Sequence, residues 1–183
     1  MNLQKLFEMQ KGLRDHIGYD GPDRFNKLIL ALLVEVGECA NEWRGFKFWS
    51  TNQQPRTLAL RHPAMMEEDK EYYNPLLEEY VDGLHFVLEL ALEIAYEIQF
   101  DVCDYISEID NDIKSQEQKS KNIIEQFNTV FYFANTVNYD CEYSNLFAAY
   151  YYLGEMLGFT WDQIEQAYMD KNKINHERQE SGY

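Results

Sequence analysis

The stretch NPLLEEYVDGLHFVLELALEIAYEIQ, residues 74–99, decides the fold of this 183-residue chain. Asn74 followed by Pro75 is a helix start. The asparagine side chain accepts from first-turn N–H groups, and a proline just behind it loses nothing by lacking its own. Leu77, Val81, Leu84, Leu88 and Ala91 then recur at helical spacing, so a helix is predicted over residues 75–99. Its most apolar part, residues 86–98, is broken by Glu89, Glu93 and Glu97 and cannot span a bilayer.

The same period extends outward in both directions. Leu3, Leu6, Phe7, Gln10 and Leu13 form the inner face of a first helix that ends near Gly18, before the turn residues Tyr19-Asp20-Gly21-Pro22. A second helix is expected over residues 23–44, with Leu28, Leu32, Glu35 and Cys39 on one stripe. Residues 45–57 read as a connection, and a short helix is allowed within 58–73. After residue 99, the segment 100–113 continues the long helix beyond a bend or forms its own, and 114–121 is a connection. Helices follow over 122–138 and 143–157. Thr160 with Gln163 makes a capping box for a last helix to about Arg178. The chain therefore reads as one all-α domain over residues 1–183, a bundle of about six to seven helices.

Composition limits what such a bundle does. There are 32 acidic against 16 basic residues, a formal net charge of −16, with 45% hydrophobic residues to build a core. Disorder is excluded by that apolar content, and nucleic-acid binding by bulk electrostatics is disfavoured by the sign of the charge. Cys39, Cys103 and Cys141 are odd in number and far apart, which argues against a disulfide framework or a thiolate zinc site. No apolar leader or membrane segment is present, and a cytoplasmic protein with no membrane partner is expected.

Some carboxylates are out of place. Glu35 and Glu38 are three apart on the second helix, and Glu79 and Asp82 are three apart on the third, so each pair projects from one helical face. Glu35 interrupts an apolar stripe between Leu32 and Cys39, where an unpaired carboxylate would be expelled. Two such pairs facing each other repel unless divalent cations lie between them. An all-oxygen donor set suits Mg²⁺, with Mn²⁺ as the alternative. Against this stands the abundance of acid: Glu68/Glu71, Asp101/Asp104, Asp162/Glu165 and Glu177/Glu180 share the spacing, and most such pairs are solvated faces. His85, three residues after Asp82, reads as a packing histidine or a substrate contact.

The few basic residues are clustered. Residues 45–66 contain no acid but carry Lys47, Arg56 and Arg61 beside Phe46, Phe48 and Trp49. A second cluster, Lys171, Lys173 and Arg178, is interleaved with Asn172, Asn175 and Gln179 near the C-terminus. Cations of this kind beside a carboxylate–metal centre suit a polyphosphate, and Trp49 suits stacking on a base. The plainer reading is a solubilising loop and a basic helix end that complements the macrodipole.

Taken together, LLVEVGECANEWRGFKFWS (32–50), EEYVDGLHFVLEL (78–90), the closing KNKINHERQESGY (171–183) and the opening LQKLFEMQKGLRDHI (3–17) resemble the dimeric, all-α dUTPases. These are relatives of the wider all-α nucleoside triphosphate pyrophosphatases, which include MazG-like and dCTPase-like enzymes. The resemblance implies Mg²⁺-dependent hydrolysis of dUTP to dUMP and pyrophosphate, and of dUDP to dUMP and phosphate, by a homodimer. It implies Glu35, Glu38, Glu79 and Asp82 as metal ligands, with Glu38 orienting or deprotonating the attacking water. Trp49 and His85 would line the nucleoside pocket, Asn175 would read the uracil edge, and Lys171, Arg178 and Lys47 would hold phosphates. Family members carry Gln and Asn three apart on the first helix for uracil contacts. Here Lys11 and Arg14 align there, and Gln10 substitutes if the register slips by one.

Three other readings compete. A dCTPase or a less selective nucleotide pyrophosphatase would use the same metal helices. A di-iron carboxylate bundle would need two Glu-x-x-His motifs, and this chain has one Asp82-x-x-His85. An acidic helical interaction protein would explain the charge but neither the Glu35 stripe nor the acid-free aromatic loop. The run Tyr150-Tyr151-Tyr152 is read as exposed aromatic surface favouring the dimer.

Overall fold

The computed structural model describes residues 1–63, 66–102, 104–138 and 143–182. Seven α-helices are found among them: α1 (Leu3–Ile17), α2 (Arg24–Trp43), α3 (Pro75–Ile98), α4 (Asp104–Ser115), α5 (Ile123–Thr136), α6 (Tyr143–Met156) and α7 (Trp161–Glu180). The two expected caps form: Asn74 accepts from the Leu77 backbone N–H, and Thr160 and Gln163 complete the capping box of α7. Asn2 and Asn122 cap α1 and α5 as well, accepting from the Lys5 and Glu125 backbone N–H groups. Gly18 ends α1 in the left-handed conformation that lacks a Cβ penalty only for glycine. The segment after α3 does not continue it; α4 begins anew at Asp104.

The short helix allowed within residues 58–73 is largely replaced. A two-residue antiparallel pair forms instead, β1 (Ala59–Leu60) with β2 (Tyr72–Tyr73), around a single 3₁₀ turn at Glu67–Asp69. Arg61 pins this segment to the bundle by lying 4.4 Å over the Tyr73 ring and pairing with Glu71 and Glu78. Extended pairing wins because the segment is too short and too polar to bury a helical stripe.

α3 is the axis of the fold. It packs on α1, α2, α6 and α7, and sixteen of its residues are buried, well beyond the single stripe of its sequence pattern. The α3–α6 contact is reciprocal. Tyr80 donates to the Tyr150 carbonyl at 3.0 Å and Tyr150 donates to the Tyr80 carbonyl at 2.6 Å, with the rings stacked at 4.7 Å. Glycine is required opposite each hydroxyl: a Cβ at Gly83 would run into the Tyr150 hydroxyl, and one at Gly154 would lie 2.5 Å from that of Tyr80. This lock corrects one expectation. Tyr150 and Tyr152 are core residues, 1% and 3% exposed, because their hydroxyls find backbone carbonyls inside the bundle, Tyr152 on that of Ile113.

Cys39 is a free, buried thiol, its pKa pushed far up by burial; Cys103 and Cys141 lie outside the described residues. Among the described residues no helix is long and apolar enough to cross a membrane.

Candidate active site

The α2–α3 contact brings the acidic pairs together. One carboxylate oxygen each from Glu35, Glu79 and Asp82 lie within 4.8 Å of one another, all three side chains partly buried. This separation suits oxygens that share a divalent cation, and no thiolate or imidazole belongs to the cluster, so the donor set fits a hard ion. Glu38 stands beside the cluster and not within it; its side chain is exposed.

Electrostatics confirm that these groups feel one another. The pKa of Glu35 is raised to about 7, first by burial and then by the charges of Asp82 and Glu38. Glu79 is likewise raised to about 7, by burial and by Asp82, Glu38 and Glu35. Asp82 is raised by burial, although Lys171 pulls the other way. Burial and mutual repulsion both push these carboxylates toward neutrality, and a divalent ion would relieve the repulsion.

α7 supplies the local positive charge. Lys171 is buried and its ammonium lies 2.6 Å from Asp82 and 3.1 Å from Glu78, which in turn receives Arg61 at 3.3 Å. From this centre a cavity of about 410 Å³ extends between α1, α2, α3 and α7. Glu35, Asp82 and Lys171 line one part of it, with Asn175 and Arg178 from α7. His85, Gln10, Glu89, Arg24 and Tyr19 line it as well, with apolar side chains such as Leu13, Leu28 and Phe86.

The far wall is a closed hydrogen-bond network. Gln10 donates its amide N–H to Glu89 at 2.9 Å, while its oxygen accepts from the Tyr168 hydroxyl at 2.7 Å and lies 2.9 Å from His85 Nδ1. Tyr168 also stacks on His85, centroids 4.1 Å apart. Burial drives the His85 pKa down to about 3, so the imidazole is neutral. Arg14 and Arg24 pair with both Glu89 and Glu93 at 2.5–3.5 Å.

Of the residues singled out in the sequence, Glu35, Asp82, His85, Lys171, Asn175, Arg178 and Gln10 line one cavity, and Glu79 completes the acidic cluster. Lys47 and Trp49 are not among its lining. Trp49 is 65% exposed and packs edge-on against Phe46 and Phe48, and the Lys47 ammonium lies near the Asn41 carbonyl and over the Phe46 ring. On the first helix Gln10 is buried and lines the cavity, Lys11 is exposed, and Arg14 pairs with Glu89 and Glu93.

Sequence reasoning missed the buried pair Glu89/Glu93, which it read only as an interruption of an apolar run. It also missed Arg24 and Glu78. The signal was two glutamates four apart in a segment otherwise apolar on every face, which demands cationic partners.

An all-α bundle in which α2 and α3 bring together three carboxylates that could hold a metal ion, beside a cavity, is the architecture this fold and site define. The chain belongs to the dUTPase family, whose sequence model matches residues 2–62 and 66–183. It is therefore an enzyme, a dUTP diphosphatase, for which a nucleotide is the expected substrate. No curated protein matches the chain.

Proposed function

We propose that the chain hydrolyses dUTP to dUMP and pyrophosphate, and dUDP to dUMP and phosphate, with Mg²⁺ held by Glu35, Glu79 and Asp82. The observation that carries this reading is the meeting of those three carboxylates within 4.8 Å at a cavity that Lys171, Asn175 and Arg178 also line. A bound divalent cation supplies neutralisation of phosphate oxygens and polarisation of water at that point. Glu38 accepts the proton of the attacking water and is the fourth carboxylate of the metal centre; it is exposed beside the cluster, and its charge couples to Glu35 and Glu79. Lys171 exchanges carboxylate partners for phosphate oxygens, helped by Arg178. Asn175 and His85 face the nucleoside. Mn²⁺ fits the same oxygens.

The enzyme is proposed to be cytoplasmic and to work as a homodimer. Support for the dimer comes from exposed apolar side chains on and just beyond α2, namely Leu30 and Val34 with Phe48 and Trp49.

Pyrophosphate release from a panel of dNTPs, with Mg²⁺, with Mn²⁺ and with EDTA, tests the reading. Cleavage of dUTP alone and only with a divalent ion is expected. Equal turnover of dCTP or of the canonical dNTPs would place the chain instead with the dCTPases or with unselective pyrophosphatases, which use the same carboxylates.

A further inference from the structure

The network on the far wall has a chemical direction. Glu89 receives Arg14 at 3.0 Å and Arg24 at 2.6 Å on one carboxylate oxygen, and the Gln10 amide at 2.9 Å on the other. Burial pushes the Glu89 pKa up, but both guanidinium groups and the Gln10 amide pull against it, and every neighbour that reaches the carboxylate is a donor, so it accepts on both oxygens. The Gln10 NH₂ must therefore face Glu89, and the Gln10 oxygen must face the other way. There it meets the Tyr168 hydroxyl and His85 Nδ1. An amide oxygen only accepts, so His85 Nδ1 must carry the proton.

Since His85 is neutral, its Nε2 is then a bare lone pair. That atom is buried and has no partner, in a residue that is 5% exposed and lines the cavity. Buried acceptors are ordinarily satisfied, so one left open on a cavity wall points to a ligand donor. Tyr168, stacked on the ring, holds its plane.

We propose that Glu89 is a positioning residue which, through Gln10, fixes His85 as the Nδ1–H tautomer and so presents Nε2 to an O–H or N–H donor of the nucleotide. The inference rests on the cavity being the nucleotide site. Within it, the donor has two sources: the imide N–H of the base or the 3′-hydroxyl of the sugar. An acceptor on this wall favours a pyrimidine whose N3 carries hydrogen over one whose N3 is itself an acceptor, if the base is what it meets.

Long-range ¹H–¹⁵N spectra of the full chain with labelled histidine test the first half without any substrate. The His85 signal, identified by its loss in His85→Asn, should show a protonated Nδ1 and a bare Nε2. An Nε2–H tautomer overturns the proposal even if the enzyme turns out to hydrolyse dUTP as expected. In Glu89→Gln the two arginines keep the amide oxygen, so the new NH₂ faces Gln10 and turns the Gln10 oxygen toward itself; the His85 tautomer should shift toward Nε2–H and the KM for dUTP should rise about tenfold with kcat little changed, the loss of one hydrogen bond. An unchanged single tautomer in a folded Glu89→Gln protein also refutes it.

Substrate analogues on the unmutated enzyme settle the donor and do not depend on that variant folding. N3-methyl-dUTP removes the imide donor, and 2′,3′-dideoxyuridine triphosphate removes the hydroxyl. One of them should lose about tenfold in kcat/KM against dUTP, and that difference should vanish in His85→Asn. If neither analogue loses, or the loss survives in His85→Asn, Nε2 is not a ligand acceptor. Absence of all dNTP hydrolysis would refute the nucleotide reading but leave the tautomer result standing.

Discussion

The Lys171 ammonium on α7 lies 2.6 Å from Asp82 Oδ2 on α3, which makes the last helix the counterion of an acidic centre built by two others. Lys171 also binds Glu78 at 3.1 Å, and its own pKa is raised by those two carboxylates against the opposing effect of burial. The bundle thus closes on its acidic cluster electrostatically as well as by packing.

Lys171→Ala should accordingly destabilise the enzyme most when divalent cations are absent. Removing one partner of a largely buried ion pair leaves charge uncompensated, at a cost of about 2–3 kcal/mol. Differential scanning fluorimetry in EDTA should record a Tm lower by about 5–10 °C. Saturating Mg²⁺ should recover part of it. Equal losses with and without Mg²⁺ would separate Lys171 from the metal cluster.

Stability without metal should fall as pH rises across the acidic centre. The folded pKa values of Glu35 and Glu79 stand near 7 against an ordinary 4.5, so the folded state holds extra protons in between. The stability they lend is complete below about pH 4.5 and is lost as pH rises through about 7. Mg²⁺ removes the repulsion, so its stabilising effect should be small at pH 5 and reach its plateau above pH 8. At a hundredfold excess over its Kd it should raise Tm by about 5–10 °C there. A Mg²⁺ shift independent of pH would contradict the coupling.

His85 works in the opposite sense. Its folded pKa, about 3 against an ordinary 6.5, means that the unfolded chain takes up a proton the folded one refuses. Its contribution is present above pH 6.5 and is lost as pH falls toward 3. His85→Asn, though it breaks the Gln10 contact, should flatten the acid limb of a Tm–pH curve recorded between pH 4 and 6.5.

The two glutamates of α2 should separate by role. Glu38→Gln lies at an exposed position and should leave Tm within about 1 °C while lowering kcat about 10²–10³-fold, as loss of a general base does. Glu35→Gln removes a like charge from the cluster, so it should raise Tm in EDTA at pH 8 by about 1–3 °C and abolish the Mg²⁺ shift. Full turnover in Glu38→Gln would remove Glu38 from the mechanism.

Gly83→Ala should strain the α3–α6 lock one residue from Asp82. Its Cβ meets the Tyr150 hydroxyl, and overpacking of this kind costs about 1–3 kcal/mol. Tyr150→Phe alone loses one hydrogen bond, about 1 kcal/mol, but deletes the clashing atom. Chemical denaturation of the double variant should therefore show a loss smaller than the sum of the single ones; strict additivity would mean that the two residues do not meet.

Much of this was legible beforehand because it is local. Caps at Asn74 and Thr160, the turn at Gly18, and the projection of Glu35 with Glu38 and of Glu79 with Asp82 follow from residue types and helical spacing alone. The shared family pattern then joined segments 150 residues apart that periodicity cannot connect.

What local pattern left open was which faces meet. Spacing makes Glu35 and Glu38 equivalent, yet packing of α2 on α3 buries the first halfway and leaves the second in solvent. Glu89 and Glu93 look like surface interruptions until Arg14 and Arg24, from two other helices, close over them. Helical phase is written in each segment by backbone geometry. Burial, pairing and pKa belong to the contacts between segments, and only the assembled bundle decides those.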